Sequence, residues 1–192
     1  RVLPLISLRN YVAVAPRGTV CAAAESDDCA SPGYAWSQSA DHILLAEHRV
    51  FAALEAARNR FNVAAKRLFL AGVGCGGTMA LRIAFSHPTV FAGAASFGGA
   101  FPEGHAPLGR LAEARKLKLL LATGRDSVDY PPEIVCEHLR LFHSAGLAVC
   151  LRQYPCGDDL TTAMLADMNR WIMDQFIAPA NVSLDEAASR RE

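Results

Sequence analysis

The chain lacks a net charge: 19 Lys+Arg residues balance 19 Asp+Glu over 192 positions. That balance removes the electrostatic footprint by which a protein finds nucleic acid or an anionic membrane surface. No apolar run approaches the ~20 residues that a bilayer-spanning helix needs, and no charged-then-apolar signal segment opens the chain. The chain starts at Arg1 rather than Met, and we expect its true N-terminus to lie upstream. Its six cysteines (Cys21, Cys29, Cys75, Cys136, Cys150 and Cys156) include no C-x-x-C pair, the usual mark of a zinc site. We expect no metal, and reduced thiols in a cytoplasmic protein, with Cys150 in "LAVCLRQY" acting as a small buried hydrophobe. Nothing in the sequence sets the oligomeric state.

What is present is a globular composition, 52% hydrophobic with 20% charged, enough to build a core. Five short apolar runs read as buried strands: "YVAVA" (11–15), "RLFLAG" (67–72), "FAGAASF" (91–97), "LKLLLATG" (117–124) and "LAVCLRQY" (147–154). Their hydrophobicity is nearly continuous rather than alternating, as in parallel strands covered on both faces. Helical patterns separate them. Ile43, Ala46, Val50, Ala53, Leu54, Ala57 and Phe61 form one stripe. A helix after Pro131-Pro132 should stop at Gly146, a glycine suited to the left-handed residue just past a helix end. A last helix should follow Thr161 as N-cap and bury Met164, Leu165, Met168, Trp171, Ile172 and Phe176. Strands alternating with helices imply βαβ crossovers and a mostly parallel sheet in a three-layer α/β sandwich. We expect one domain over 1–177, a polar, disordered tail over 178–192, and a lid or binding loop within 18–40.

The stretch "LFLAGVGCGGTMALRIAF" (68–85) admits two readings. Gly72, Gly74 and Gly77 satisfy the dinucleotide fingerprint G-x-G-x-x-G, whose glycines let the backbone approach a pyrophosphate. That fingerprint also needs an acidic residue about 20 positions on, and the chain offers none there before Glu103. A P-loop is excluded because Gly77, not lysine, precedes Thr78. The second reading is a strand–turn–helix elbow of the form G-x-S-x-G-G, with Gly74 where the serine belongs. An elbow needs small residues around a sharply turned nucleophile, and it predicts a positive φ at Gly74. Triad partners should follow later strands in the order Asp, His. Asp126 lies just after the fourth run, and "YPCGDDLTTAML" after the fifth contains Asp158 and Asp159 but no histidine.

With these motifs the chain resembles the phospholipase/carboxylesterase branch of the α/β-hydrolases, the predicted esterases related to acyl-protein thioesterases. The resemblance runs through "RNYVAVAPRG", "GYAWSQ", the glycine elbow, "LLLATGRDSV" and "LRQYPCGDDLTTAMLADMNRWI", covering most of Val2 to Phe176. It implies the α/β-hydrolase fold, with the first strands and the H-G-x-G oxyanion loop preceding Arg1. It places the nucleophile position on Gly74, the acid on Asp126, the histidine on Asp158, and an oxyanion N–H on Cys75. Two of these three triad positions are substituted, so the resemblance implies an ester or thioester hydrolase without its catalytic groups and with no cofactor. Cys75 is the one alternative nucleophile, displaced by one residue from the seat. An ester-like small molecule is the partner this reading expects. Of the histidines, His105 alone lies on the loop side where active sites form, while His42, His48, His87, His138 and His143 read as surface or capping residues.

Overall fold

A computed structural model of the protein describes residues 3–6, 11–21 and 33–188. In chain order the elements are α1 (Leu3–Ile6), β1 (Thr19–Cys21), β2 (Gly33–Ala35), α2 (Ala40–Arg58), β3 (Phe69–Val73), α3 (Cys75–Ser86), β4 (Gly93–Phe97), α4 (Leu111–Ala114), β5 (Lys118–Gly124), α5 (Pro132–Ser144), β6 (Val149–Tyr154) and α6 (Thr162–Ala188). The chain divides into two compact units, Val12–Asp159 and Arg1–Tyr11 with Leu160–Glu192, where the sequence suggests a single domain over 1–177.

The larger unit is built on a parallel four-stranded sheet in the order β3-β4-β5-β6. Each strand lies beside the next one in sequence, so right-handed crossovers put the connecting helices on one face. Leu81 and Phe85 of α3 and Phe142 of α5 accordingly share one buried cluster with Ala94, Leu119 and Leu121 of the sheet. A second cluster joins Ile43 and Ala46 of α2 to Met79 and Ile83 of α3. The central strands are buried almost throughout, whereas β3 and β6 are half-buried edges. Cys150, on β6, is only partly buried for that reason.

Four of the five expected strands form. The run at 11–15 does not: those residues adopt no regular structure, and Val12 and Val14 are about half exposed. Apolar side chains create a preference for burial, but a strand exists only through its ladder of backbone bonds. Among the described residues no neighbour pairs with that run. Thr19–Cys21 instead pairs antiparallel with Gly33–Ala35. The middle of the expected lid at 18–40 lies outside the described residues.

Helix ends follow local chemistry. Asp41 and Arg58 complement the α2 dipole at its first and last turns, and Phe61 falls beyond that helix, exposed. At the end of α5, Gly146 takes φ 71°. The Gly146 N–H donates to the His143 carbonyl and Leu147 N–H to the Phe142 carbonyl, both at 2.9 Å. This is a Schellman stop, and it turns the chain directly into β6.

In the smaller unit, the Thr161 hydroxyl accepts the Met164 N–H at 3.3 Å, as an N-cap should. Met164, Leu165, Met168, Trp171 and Ile172 are buried, and the Tyr11 hydroxyl donates to Asn169 Oδ1 at 3.0 Å. The side chain of Phe176 lies outside the described residues. Helix α6 continues to Ala188, through most of the stretch expected as a polar tail. Its Leu184, Glu186, Ala187 and Ala188 are good helix formers.

Candidate functional site

Because the sheet is parallel, the loops after β3, β4, β5 and β6 all leave from one edge, where open α/β sheets place their ligands. These four loops carry Gly74, the Gly98–Ala106 segment with His105, Asp126 and Asp158.

The first loop is a single residue. Gly74 joins Val73 of β3 to Cys75 of α3 with φ 51° and ψ −125°, the left-handed region that the elbow reading requires. Its N–H donates to the Phe97 carbonyl at 2.9 Å, and its carbonyl accepts from Gly77 at 2.8 Å and Thr78 at 3.1 Å. The turn is therefore locked both to β4 and to the first turn of α3. So sharp a turn leaves no space beside it. A Cβ on Gly72 would overlap the Gly76 carbonyl, and one on Gly77 would overlap the Ser96 hydroxyl. One on Gly99 would lie 2.5 Å from the Gly74 oxygen. At Gly74 itself a Cβ would meet nothing within 4 Å. The seat is strained for a side chain but open to one. Cys75, next in the chain, is exposed.

On the loop after β5, the Arg125 N–H donates to the Tyr154 carbonyl at 2.8 Å and the Asp126 N–H to the Cys156 carbonyl at 3.0 Å. Asp126 and Arg125 form an exposed pair at 3.4 Å. Asp158 does something else. Its carboxylate accepts the Ser127 hydroxyl, the Val128 N–H at 3.0 Å and the Asp129 N–H at 3.4 Å. Ser127 in turn accepts the Tyr130 N–H at 2.9 Å. Asp158 thus clasps the loop after β5 to its own loop. Asp126 and Asp158 share no partner, and no group of three His, Cys, Asp or Glu suited to a metal occurs among the described residues.

The Ser127 hydroxyl, followed by the Val128 N–H, holds the Asp158 carboxyl below its ordinary 3.8. A carboxyl whose pKa falls on folding stabilises the protein above its unfolded value, and that stability is lost as pH drops through the folded one. Asp158→Asn should therefore lower the thermal midpoint at neutral pH. The gap to wild type should narrow as pH falls below the ordinary 3.8 and close once it passes the lowered folded value. Thermal unfolding of both proteins at neutral and strongly acid pH checks this, and a pH-independent gap would count against the clasp.

Three of the histidines are engaged by other groups. His87 lies at the far end of α3, 3.3 Å from Glu47, and His42 bonds the Ser39 hydroxyl at 2.7 Å. His138 is buried, with Phe101 N–H at 3.1 Å and the Tyr130 hydroxyl at 2.9 Å both on its Nδ1. Burial lowers its pKa and pushes that of Tyr130 up to about 12; because Nδ1 accepts the Phe101 N–H, the ring's proton lies on Nε2. His105 is exposed on the loop after β4, with φ 54°.

Two residues near the elbow escape sequence reasoning. Trp36 lies alongside it, with ring atoms 3.4 and 3.6 Å from where a Cβ on Gly76 would sit. Arg82 is the other, a charge inside the apolar run "TMALRIAF", and that misfit was its one visible signal. β4 carries no carboxylate at its end, so the dinucleotide reading gains no support there.

No family model and no curated protein matches the sequence. Solved structures do match the fold. Arabidopsis thaliana SOBER1 superposes with a TM-score of 0.63 at 18% identity, over 76% of each chain. A carboxylesterase from Mesorhizobium loti gives 0.62 at 20% identity, over 82% of this chain and 73% of that one. The Bacillus cereus carboxylesterase gives 0.59 at 15%, with the same coverage. The fold is that of the α/β-hydrolases. A sharp strand-to-helix turn of the G-x-S-x-G type presents a nucleophile in hydrolases that carry one; the turn between β3 and α3 here holds Gly74.

Proposed function

We propose that the protein is a carboxylic-ester or thioester hydrolase by descent that now binds an ester-like small molecule without turning it over. The observation that carries this reading is Gly74, which has the elbow backbone and open space for a side chain but no side chain. The histidine position supports it. An ionised aspartate cannot accept and return a proton as imidazole does, and Asp158 already spends its lone pairs on Ser127 and two backbone N–H groups. The free thiols of Cys75, Cys136, Cys150 and Cys156 suit a reducing, cytoplasmic setting.

A second reading is favoured by the exposure of Cys75 at the first residue of α3. A thiolate there would attack an ester carbonyl, expel the alcohol as the C–O bond breaks, and leave an acyl-enzyme thioester that water hydrolyses to the acid and the free thiol. It sits one residue past the seat, and no histidine is bonded to it among the described residues. The two readings separate on p-nitrophenyl butyrate. We expect the ester to quench tryptophan fluorescence on binding, with no turnover above background in wild type or Cys75→Ala. Turnover that vanishes in Cys75→Ala would establish the thiol esterase, and absence of binding would remove the first reading.

A further inference from the structure

Arg82 is the least explained group on this side of the sheet. It follows Cys75 by seven residues, two helical turns, on the same face of α3, and only 1% of it is exposed. Its Nε donates to Gln38 Oε1 at 2.6 Å, Nη1 to the Gly104 carbonyl at 3.0 Å and Nη2 to the Glu103 carbonyl at 2.5 Å. All three acceptors are neutral. Burying a guanidinium against neutral groups returns little Coulomb energy for the desolvation it costs, so packing does not explain an arginine here.

What those bonds do is hold two separate segments to one helix. The first precedes α2: Gln38 Nε2 donates to the Trp36 carbonyl at 3.3 Å, and the Trp36 ring lies against Gly76. The second is the loop after β4. It leaves the strand through Gly98 at φ 64°, passes Gly99 pressed on the Gly74 oxygen and the Thr78 nitrogen, and reaches Glu103 and Gly104. Both segments border the elbow.

We propose that Arg82 is a positioning residue that fixes Trp36 and the 98–104 loop beside the elbow at Gly74. A planar fork with donors in fixed directions suits this task, and a lysine would reach only one of the three acceptors. With Trp36 so held, an aromatic face borders the elbow and selects esters or thioesters with an uncharged, apolar acyl or aryl group. The choice of ligand rests on the binding reading above, but the positioning does not.

The test uses the unliganded protein. The chain has two tryptophans, so Trp171→Phe leaves Trp36 as sole reporter and Trp36→Phe leaves Trp171. Acrylamide quenching of Trp36 should rise about two-fold on Gln38→Ala and further on Arg82→Met, with Trp171 unchanged. Arg82→Lys should restore only part of the protection. Gln38 is half-buried and outside the α3 core, so its variant decides the matter if Arg82→Met does not fold. Unchanged Trp36 quenching in folded Gln38→Ala and Arg82→Lys would overturn the proposal. An equal rise at Trp171 would also overturn it, reducing Arg82 to general packing. If p-nitrophenyl butyrate leaves Trp36 unquenched in the wild type while Gln38→Ala still exposes it, the binding reading falls and the positioning stands.

Discussion

Gly74→Ser combined with Asp158→His should raise hydrolysis of p-nitrophenyl butyrate about 100-fold or more over the wild-type chain. A serine at Gly74 meets open space, because nothing lies within 4 Å of its Cβ. Its φ of 51° costs a non-glycine residue about 1–3 kcal/mol, strain of the kind functional sites store. Serine alone gains nothing without a base to take its proton, so Gly74→Ser by itself should stay within about three-fold of wild type. The imidazole at position 158 would stand after β6, beside the acid loop after β5. A complete triad is worth about 10⁶ in kcat. The rebuilt one falls well short, because Asp126 is exposed and paired with Arg125. A folded double variant with no gain would mean that at least one of Gly74, Asp126 and Asp158 does not hold its assigned position.

Two alanine substitutions four residues apart should move stability in opposite directions. Gly72→Ala drives a Cβ into the Gly76 carbonyl. Both are backbone, locked to β4 and α3, so neither side can yield. We expect a loss of about 3 kcal/mol or more, in the class of overpacking at a site that cannot relax. Gly76→Ala meets only the Trp36 ring, at 3.4 Å, and replaces a helical glycine. Alanine's better helix propensity makes that change neutral or stabilising by up to about 1 kcal/mol. Urea denaturation of the pair decides it. Similar losses in both would show that the elbow is not the tight turn described.

These contrasts show where sequence and structure agree and where they part. The elbow was legible because its constraint is local: each glycine answers to atoms within a few residues or on the next strand. The same holds for α5, whose start at Pro132 and stop at Gly146 are written in single residues. The run at 11–15 misled because apolarity records a wish for burial and says nothing about a partner for the backbone. Arg82 stayed hidden because an arginine among apolar residues usually marks a solvent-facing position, and its three acceptors lie 21 to 44 residues away. Asp158 was legible as a carboxylate in the loop after β6 and illegible as a clasp. Its contact with Ser127 spans 31 residues and joins two loops whose approach depends on β5 pairing with β6.

The clasp also makes exchange at position 158 a one-way step. Aspartate and histidine codons differ by a single base, so mutation is no barrier in either direction. Stability is. The Ser127 hydroxyl and the N–H groups of Val128 and Asp129 all point donors at residue 158. A carboxylate answers all three, whereas an imidazole brings a donor of its own and one acceptor at most. On the proposed descent, a lineage that returned to histidine would lose the clasp before any catalytic benefit existed, because the serine at position 74 would still be missing. The two changes would have to arrive together, which makes the clasp an evolutionary ratchet.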